Sequence, residues 1–258
     1  GKTWKAYYTA LQNGPYGEDN FGDVADPYRL PDDISYVLDV EGYLARNSAS
    51  REVIVRRTAT APVIDGKADD ACWQQAVTVS EFTEMSSRAP GNYKTSARFL
   101  YDDSHLYGLV TCQDLNGDYR RDSCTTEDSD VWKENDIEFF IQPALSAEEE
   151  ARVPYEKFYQ IIGNSLGTRL DTSYWCEKGK PEMLGTSDVN WESGCEIKTA
   201  QTENGWQIEF RMPFSSLGVS APKPGTSWKG NVTRHIVSSS AEFFLSWYPL
   251  LGQPAIRP

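Results

Sequence analysis

The chain has 258 residues, with 25 Lys and Arg against 38 Asp and Glu, a net charge of −13 and a pI near 4.7. That excess of acid repels a phosphate backbone and an anionic membrane surface, so nucleic acid is not an expected partner. No apolar run reaches the roughly 20 residues that a membrane-crossing helix needs, so no membrane span is expected; Gly1 of "GKTWK" reads as a cleavage scar behind a removed export signal.

Residues 1–51 read as an N-terminal extension. "NGPYGEDNFGDVADPYRLPDD" is dense in the turn formers Gly, Pro, Asn and Asp, and a short helix is expected from about Asp32 to Arg46, behind Pro31. Residues 52–258 change texture to short strands separated by turn residues, the pattern of an all-β sandwich or barrel. The expected strands are "EVIVRR", "TSARFLYD", "HLYGLVTCQ", "DIEFFIQ", "KFYQIIGN", "GCEIKTAQ", "GWQIEFRM", "KGNVTRHIV" and "EFFLSWY". Asp102 and Asp103 mark one hairpin turn and "TENG" another, so consecutive strands are expected to pair antiparallel. Helical signal is confined to "SAEEEARV" and "PFSSLG".

The five cysteines, Cys72, Cys112, Cys124, Cys176 and Cys195, have neither CxxC spacing nor a histidine pattern, which argues against zinc. Cys112 and Cys124 flank an acidic loop and could bridge it in an oxidising compartment; buried free thiols are the alternative. In that loop, "DLNGDYRRD" sets Asp114, Asn116, Asp118 and Asp122 at spacings that can wrap calcium, although the glutamate that completes an EF-hand is missing and a solvated turn is the plainer reading.

"DSDVWKENDIEFFIQP", residues 128–143, carries the most chemistry. Strand alternation puts Ile137, Phe139 and Ile141 on a core face and Asp136, Glu138, Phe140 and Gln142 on the other. A carboxylate accepts strong hydrogen bonds from hydroxyls, and an indole offers a broad apolar surface to the C–H side of a sugar, so Trp132 with Glu138 forms a candidate saccharide site. The plain alternative is a packing tryptophan beside a solvated acid. Asp136 and Glu138 lie roughly 6 to 7 Å apart along the strand, within reach of the carboxylate spacing of glycosidases, but side by side and with no opposing acid. Binding is therefore favoured over catalysis. His105 and His235 are the only histidines, and no Gly-x-Ser-x-Gly elbow accompanies them, which leaves no serine-triad pattern.

The order of "VIDGKADDACW", "TSARFLYDDSHLYGLVTCQD", "VWKENDIEFFIQP", "YQIIGNSLGTRLD", "GWQIEFRMPFSSLG", "PGTSWKGNVTRH" and "LSWYP" resembles the family 9 carbohydrate-binding modules, over about Val53 to Tyr248. The resemblance implies a two-sheet, jelly-roll-like β-sandwich that binds a mono- or oligosaccharide without transforming it. It further implies bound calcium that steadies loops and a secreted, periplasmic or cell-surface setting beside glycoside hydrolases. Trp132 matches the first of two clamping tryptophans, Trp247 of "LSWYP" the second, and Glu138 the glutamate that bonds sugar hydroxyls. The family's arginine would fall near Ile162, where this chain has none; Arg234 or Arg98 would replace it only from a strand facing the cleft. Gln160, in the same "YQIIGN", joins the candidate ligand-binding residues. In "GNVTRH", Asn231, Thr233 and His235 alternate with Val232, Arg234 and Ile236, so only one set can face a ligand, and a structural salt bridge is the alternative role for Arg234. Two further readings stand beside simple binding: a glycoside hydrolase or its accessory part, and a scaffold that kept the fold and lost the site.

Overall fold

The computed structural model describes residues 51–85, 91, 93–114, 117–145, 151, 155–177, 186–238 and 242–248, with backbone alone at 118, 176, 177 and 186. The expected helix at 32–46, residues 1–50 of the extension, and "SAEEEARV" apart from Ala151 lie outside these residues. Within them run β1 (Arg56–Arg57), β2 (Thr78–Val79), β3 (Thr83–Glu84), β4 (Thr95–Tyr101), β5 (His105–Gln113), β6 (Asp136–Gln142), β7 (Tyr155–Asn164), β8 (Arg169–Glu177), β9 (Thr186–Asp188), β10 (Glu196–Thr202), β11 (Gly205–Pro213), β12 (Lys229–Val237) and β13 (Glu242–Ser246). They form a six-stranded sheet in the order β1-β4-β5-β11-β10, with β2 also on β4, and a seven-stranded sheet in the order β3-β13-β12-β6-β7-β8-β9. Apart from the short parallel contact of β1 with β4, the described pairings are antiparallel.

Most strands fall where alternation places them, and "KGNVTRHIV" is β12 residue for residue. "EVIVRR" shortens to Arg56–Arg57. β8, "RLDTSYWCE", is not among the expected strands. Its Asp171 pairs with core Ile161 and its Thr172 with Gln160, so polar side chains occupy both faces and the apolar alternation that announces a strand is absent. "PFSSLG" is a 3-10 turn over Phe214–Leu217, closed by Gly218 at φ 71.

The two inner faces pack as a sandwich. Ile137, Phe139 and Ile141 of β6, Ile161 of β7 and Val232 and Ile236 of β12 meet Val110 of β5 and Ile208 and Phe210 of β11 in one buried cluster. Phe139 packs on Phe210 across the two sheets, with ring centroids 4.2 Å apart. Room for it comes from Gly108 of β5, directly opposite Phe210, where a β-carbon would stand 1.9 Å from Phe210 Cε1.

On the other face of the six-stranded sheet, Cys72 and Trp73 cover Leu100, Tyr107 and Leu109. Glu209 of β11 is the clasp. It is fully buried, takes the Trp73 indole N–H at 2.8 Å, and takes the Asp65 and Gly66 backbone N–H groups at 3.0 and 2.9 Å. Gly66 has φ 85 and would bring a β-carbon to 2.4 Å from the Thr199 backbone, which explains the glycine in "VIDGKADDACW". Among the described residues Cys72, Cys112, Cys124 and Cys195 are free thiols, so no bridge joins Cys112 to Cys124.

Gly108→Ala is expected to cost about 1–3 kcal/mol in urea unfolding, because the added methyl overpacks the Phe210 ring. An unchanged midpoint would show that Phe210 yields freely.

Candidate binding site

Register sets the site. β6 lies between β12 and β7, so Glu138 is flanked by Thr233 and Ile162, Asp136 by His235 and Asn164, and Phe140 by Asn231 and Gln160. Of the two alternating sets in "GNVTRH", Asn231, Thr233 and His235 share the face of Glu138. Arg234 does not. It pairs with core Ile137, is 0% exposed, and donates to Thr95 Oγ1 at 3.1 Å and to the Gln113 carbonyl at 2.8 Å. Arg234 therefore does not share the face of Glu138: the strand's two-residue period turns it inward, where it struts the two sheets together. Arg98, on β4 of the other sheet, donates to Thr78 Oγ1. The position opposite Glu138 is filled by Ile162, so this part of the face carries no cation.

Glu138, Gln160 and Tyr174 form a chain of hydrogen bonds. The Gln160 amide donates to Glu138 Oε2 at 3.0 Å, and the Tyr174 hydroxyl donates to Gln160 Oε1 at 2.8 Å. Tyr174 is itself held by stacking on Phe158, with ring centroids 5.0 Å apart. Glu138 and Gln160 are buried, at 5% and 7% exposure, so the polar face is no solvated surface. Burial pushes the Glu138 carboxyl up to about 8, with the neighbouring Asp136 charge adding to the rise. Asp136 is pushed well above the carboxylate range, chiefly by its own burial. Both Asp136 oxygens and the Thr233 hydroxyl are buried without a well-formed hydrogen bond, though the His235 backbone N–H draws Asp136 down and the Thr233 hydroxyl draws Glu138 down, each less than burial raises it. Two acids that shift in the same direction do not divide into a proton donor and an ionised partner, the division glycosidases rely on.

Trp132 sits on the 3-10 turn Val131–Lys133, at the end of a loop pinned from several sides. Val131 is fully buried, and Glu134 accepts from the Ser123 and Cys124 backbone N–H groups and the Asn164 amide. The indole is 50% exposed, with the Lys133 ammonium 5.0 Å from the ring centroid. Its carbonyl meets His235 Nδ1 at 3.1 Å, which brings this turn to the Asp136 end of the Glu138 face. Trp247 follows β13, donates its backbone N–H to the Val232 carbonyl at 2.9 Å, and rests partly buried against the cluster between the sheets. The structure therefore gathers Glu138, Gln160 and the Trp132 turn at one face and sets Trp247 against the core.

Two acids of the expected metal loop have hydrogen-bond partners within the protein. Asp114 accepts the Gly117 and Tyr119 N–H groups at 3.0 and 3.1 Å, and Asp122 accepts from Asn135 and Ser165. Asn116 and the Asp118 side chain lie outside the described residues. A different acidic group, Asp128, Asp171 and Glu192, brings carboxylate oxygens within 4.8 Å of one another. Asp171 is buried and its Oδ1 has no hydrogen-bond partner, while Oδ2 takes the Ser193 N–H at 2.9 Å. Arg169 stands beside it, with Nε 3.2 Å from Asp171 and Nη2 3.3 Å from Glu192. These acids come from β8 and two loops far apart in sequence, so no local spacing could reveal them.

The sign of the Glu138 shift gives a test. A raised carboxyl keeps its proton in the folded state after the unfolded chain has lost it, so stability falls as pH rises from about 4.5 to about 8. Glu138→Gln should therefore raise Tm more at pH 8 than at pH 5. An equal change at both would show that Glu138 is not held protonated.

Residues 64–230 match the family described as carbohydrate family 9 binding domain-like. No curated protein matches the sequence. Among solved structures, a proposed carbohydrate-binding protein from Bacteroides uniformis ATCC 8492 shares the fold at TM-score 0.58 and 15% identity, covering 78% of this chain and 92% of that one. Two structures of a family 9 carbohydrate-binding module from Caldicellulosiruptor kristjanssonii also align. The complex with glucose does so at 16% identity and TM-score 0.45, over 74% of this chain and 84% of that one. The complex with cellotriose does so at 15% identity and TM-score 0.46, over 79% and 97%.

Proposed function

The chain belongs to the carbohydrate family 9 binding domain-like family, and from that premise we propose that it holds a mono- or oligosaccharide, without transforming it, at the Glu138 face of the seven-stranded sheet. The observation that carries this reading is the buried polar row of Glu138, Gln160 and Thr233, in which the Thr233 hydroxyl is met at most by the Glu138 carboxyl beside it. A buried polar group without a partner costs about 1–3 kcal/mol, which a sugar hydroxyl can recover. Protonated Glu138 can donate as well as accept, a match for hydroxyls that do both. Trp132 supplies an exposed apolar surface on the turn whose carbonyl meets His235 at the Asp136 end of the same face. Trp247 is the second aromatic candidate, reached from its partly exposed side.

Residues 52–258 form the binding domain in this reading, with 1–51 an added extension. The setting is extracytoplasmic, where polysaccharide is met beside the enzymes that degrade it. Among the described residues no helix is long and apolar enough to cross a membrane. The catalytic alternative is disfavoured by the common direction of the Asp136 and Glu138 shifts.

Calcium belongs to the proposal at Asp128, Asp171 and Glu192, since three carboxylates and an unpartnered buried oxygen suit a hard cation that prefers oxygen. Arg169 already offsets part of their charge. Holding these three residues together would tie the loop that carries Trp132 to β8.

Isothermal titration with a panel of neutral mono- and oligosaccharides tests the site. Trp132→Ala and Glu138→Leu should each weaken binding about tenfold, ~1.4 kcal/mol. Absence of heat with every sugar, or full affinity in both variants, would overturn it. For the metal, 1 mM calcium should raise Tm in the native chain and not in Asp171→Asn; equal Tm with calcium and with chelator would remove calcium from the reading.

A further inference from the structure

We propose that His235 is a positioning residue that fixes the Trp132 platform through its main chain. The proposal rests on the reading of Trp132 as a sugar-stacking surface. His235 lies on β12, opposite Asp136 on one side and Phe244 on the other, and is 2% exposed. Its ring stacks on Phe244, with centroids 4.2 Å apart and planes 5° apart, so the orientation of both ring nitrogens is set by packing. Nδ1 meets the Trp132 carbonyl at 3.1 Å, and Nε2 meets Glu242 Oε1 at 2.7 Å.

The Trp132 carbonyl can only accept, so Nδ1 carries the proton that this bond uses, and Nε2 faces the Glu242 carboxyl on β13. The ring thus spans the gap between the loop and β13, with Asp136 Oδ2 on β6 3.6 Å from Nδ1.

The turn needs such an anchor. Its internal bonds run from the Val131 N–H to Ser129, from the Lys133 N–H to Asp130 and from the Glu134 N–H to Val131. These close the turn on itself; the residues behind it, Glu134 and Asn135, are tied to Asn164 of β7 and Val237 of β12, and His235 supplies the tie at Trp132 itself. His235 ties the carbonyl of that same residue to β12, next to Thr233 and Glu138, and so sets where the ring stands relative to the polar floor.

The experiment reads the platform directly. In the full chain labelled with 5-fluorotryptophan, the Trp132 line in the fluorine NMR spectrum is assigned by its loss in Trp132→Phe. His235→Ala should shift and broaden that line while the remaining tryptophan lines keep their positions. His235→Asn should restore it, because the asparagine amide stands where Nδ1–H stood. A Trp132 line untouched by His235→Ala, equal movement of all the tryptophan lines, or failure of His235→Asn to restore the line would overturn the proposal. Titration of the same samples with cellotriose separates the two readings: if Trp132→Phe binds as the native chain does, the sugar platform fails, whereas the NMR result still decides the role of His235.

Discussion

Central strand β6 is paired on both sides, and that double pairing governs the rest of the molecule. With β12 and β7 both in register, none of its side chains can change face unless both ladders break. Phe139 is committed to the Phe210 bridge between the sheets, and Glu138 to the opposite face. A slip by one residue would push a carboxylate into the aromatic core and an aromatic ring out of it, so the core contacts that stabilise the sandwich also aim the polar floor.

The two faces place opposite demands on buried carboxylates. Glu209, under the Trp73 segment, receives three N–H donors and works as a structural clasp. Glu138 receives the Gln160 amide and leans on the Thr233 hydroxyl, and Asp136 is met by the His235 backbone alone. A fold selected for stability alone would satisfy or replace such groups, because unpaired buried polar atoms are expensive. Asp136 and Thr233 leave such atoms on the face of Glu138, and in the proposed reading a ligand would recover them.

Much of this was legible in residues 52–258. Alternation in "DIEFFIQ" and "KGNVTRHIV" gave the strands and divided their faces, because a two-residue period survives any tertiary arrangement. It also reduced the role of Arg234 to a choice between two faces, which pairing of β12 with β6 resolved inward, opposite Ile137. β8 escaped notice because Asp171 and Thr172 put polar atoms on both of its faces. The acidic group of Asp128, Asp171 and Glu192 escaped because a strand and two loops assemble it.

The sequence by itself determined the strand set, the core face of β6 and the identity of Trp132, Glu138 and Gln160 as the residues to examine, since each follows from local periodicity or from a motif. Only the tertiary structure decided that Glu138 is buried and protonated near neutral pH, that Gln160 and Tyr174 complete its hydrogen bonds, that Trp247 leans on the core, and that His235 reaches the Trp132 carbonyl. Burial and cross-strand partners are properties of chains brought together from distant positions, and no pattern within a single strand contains them.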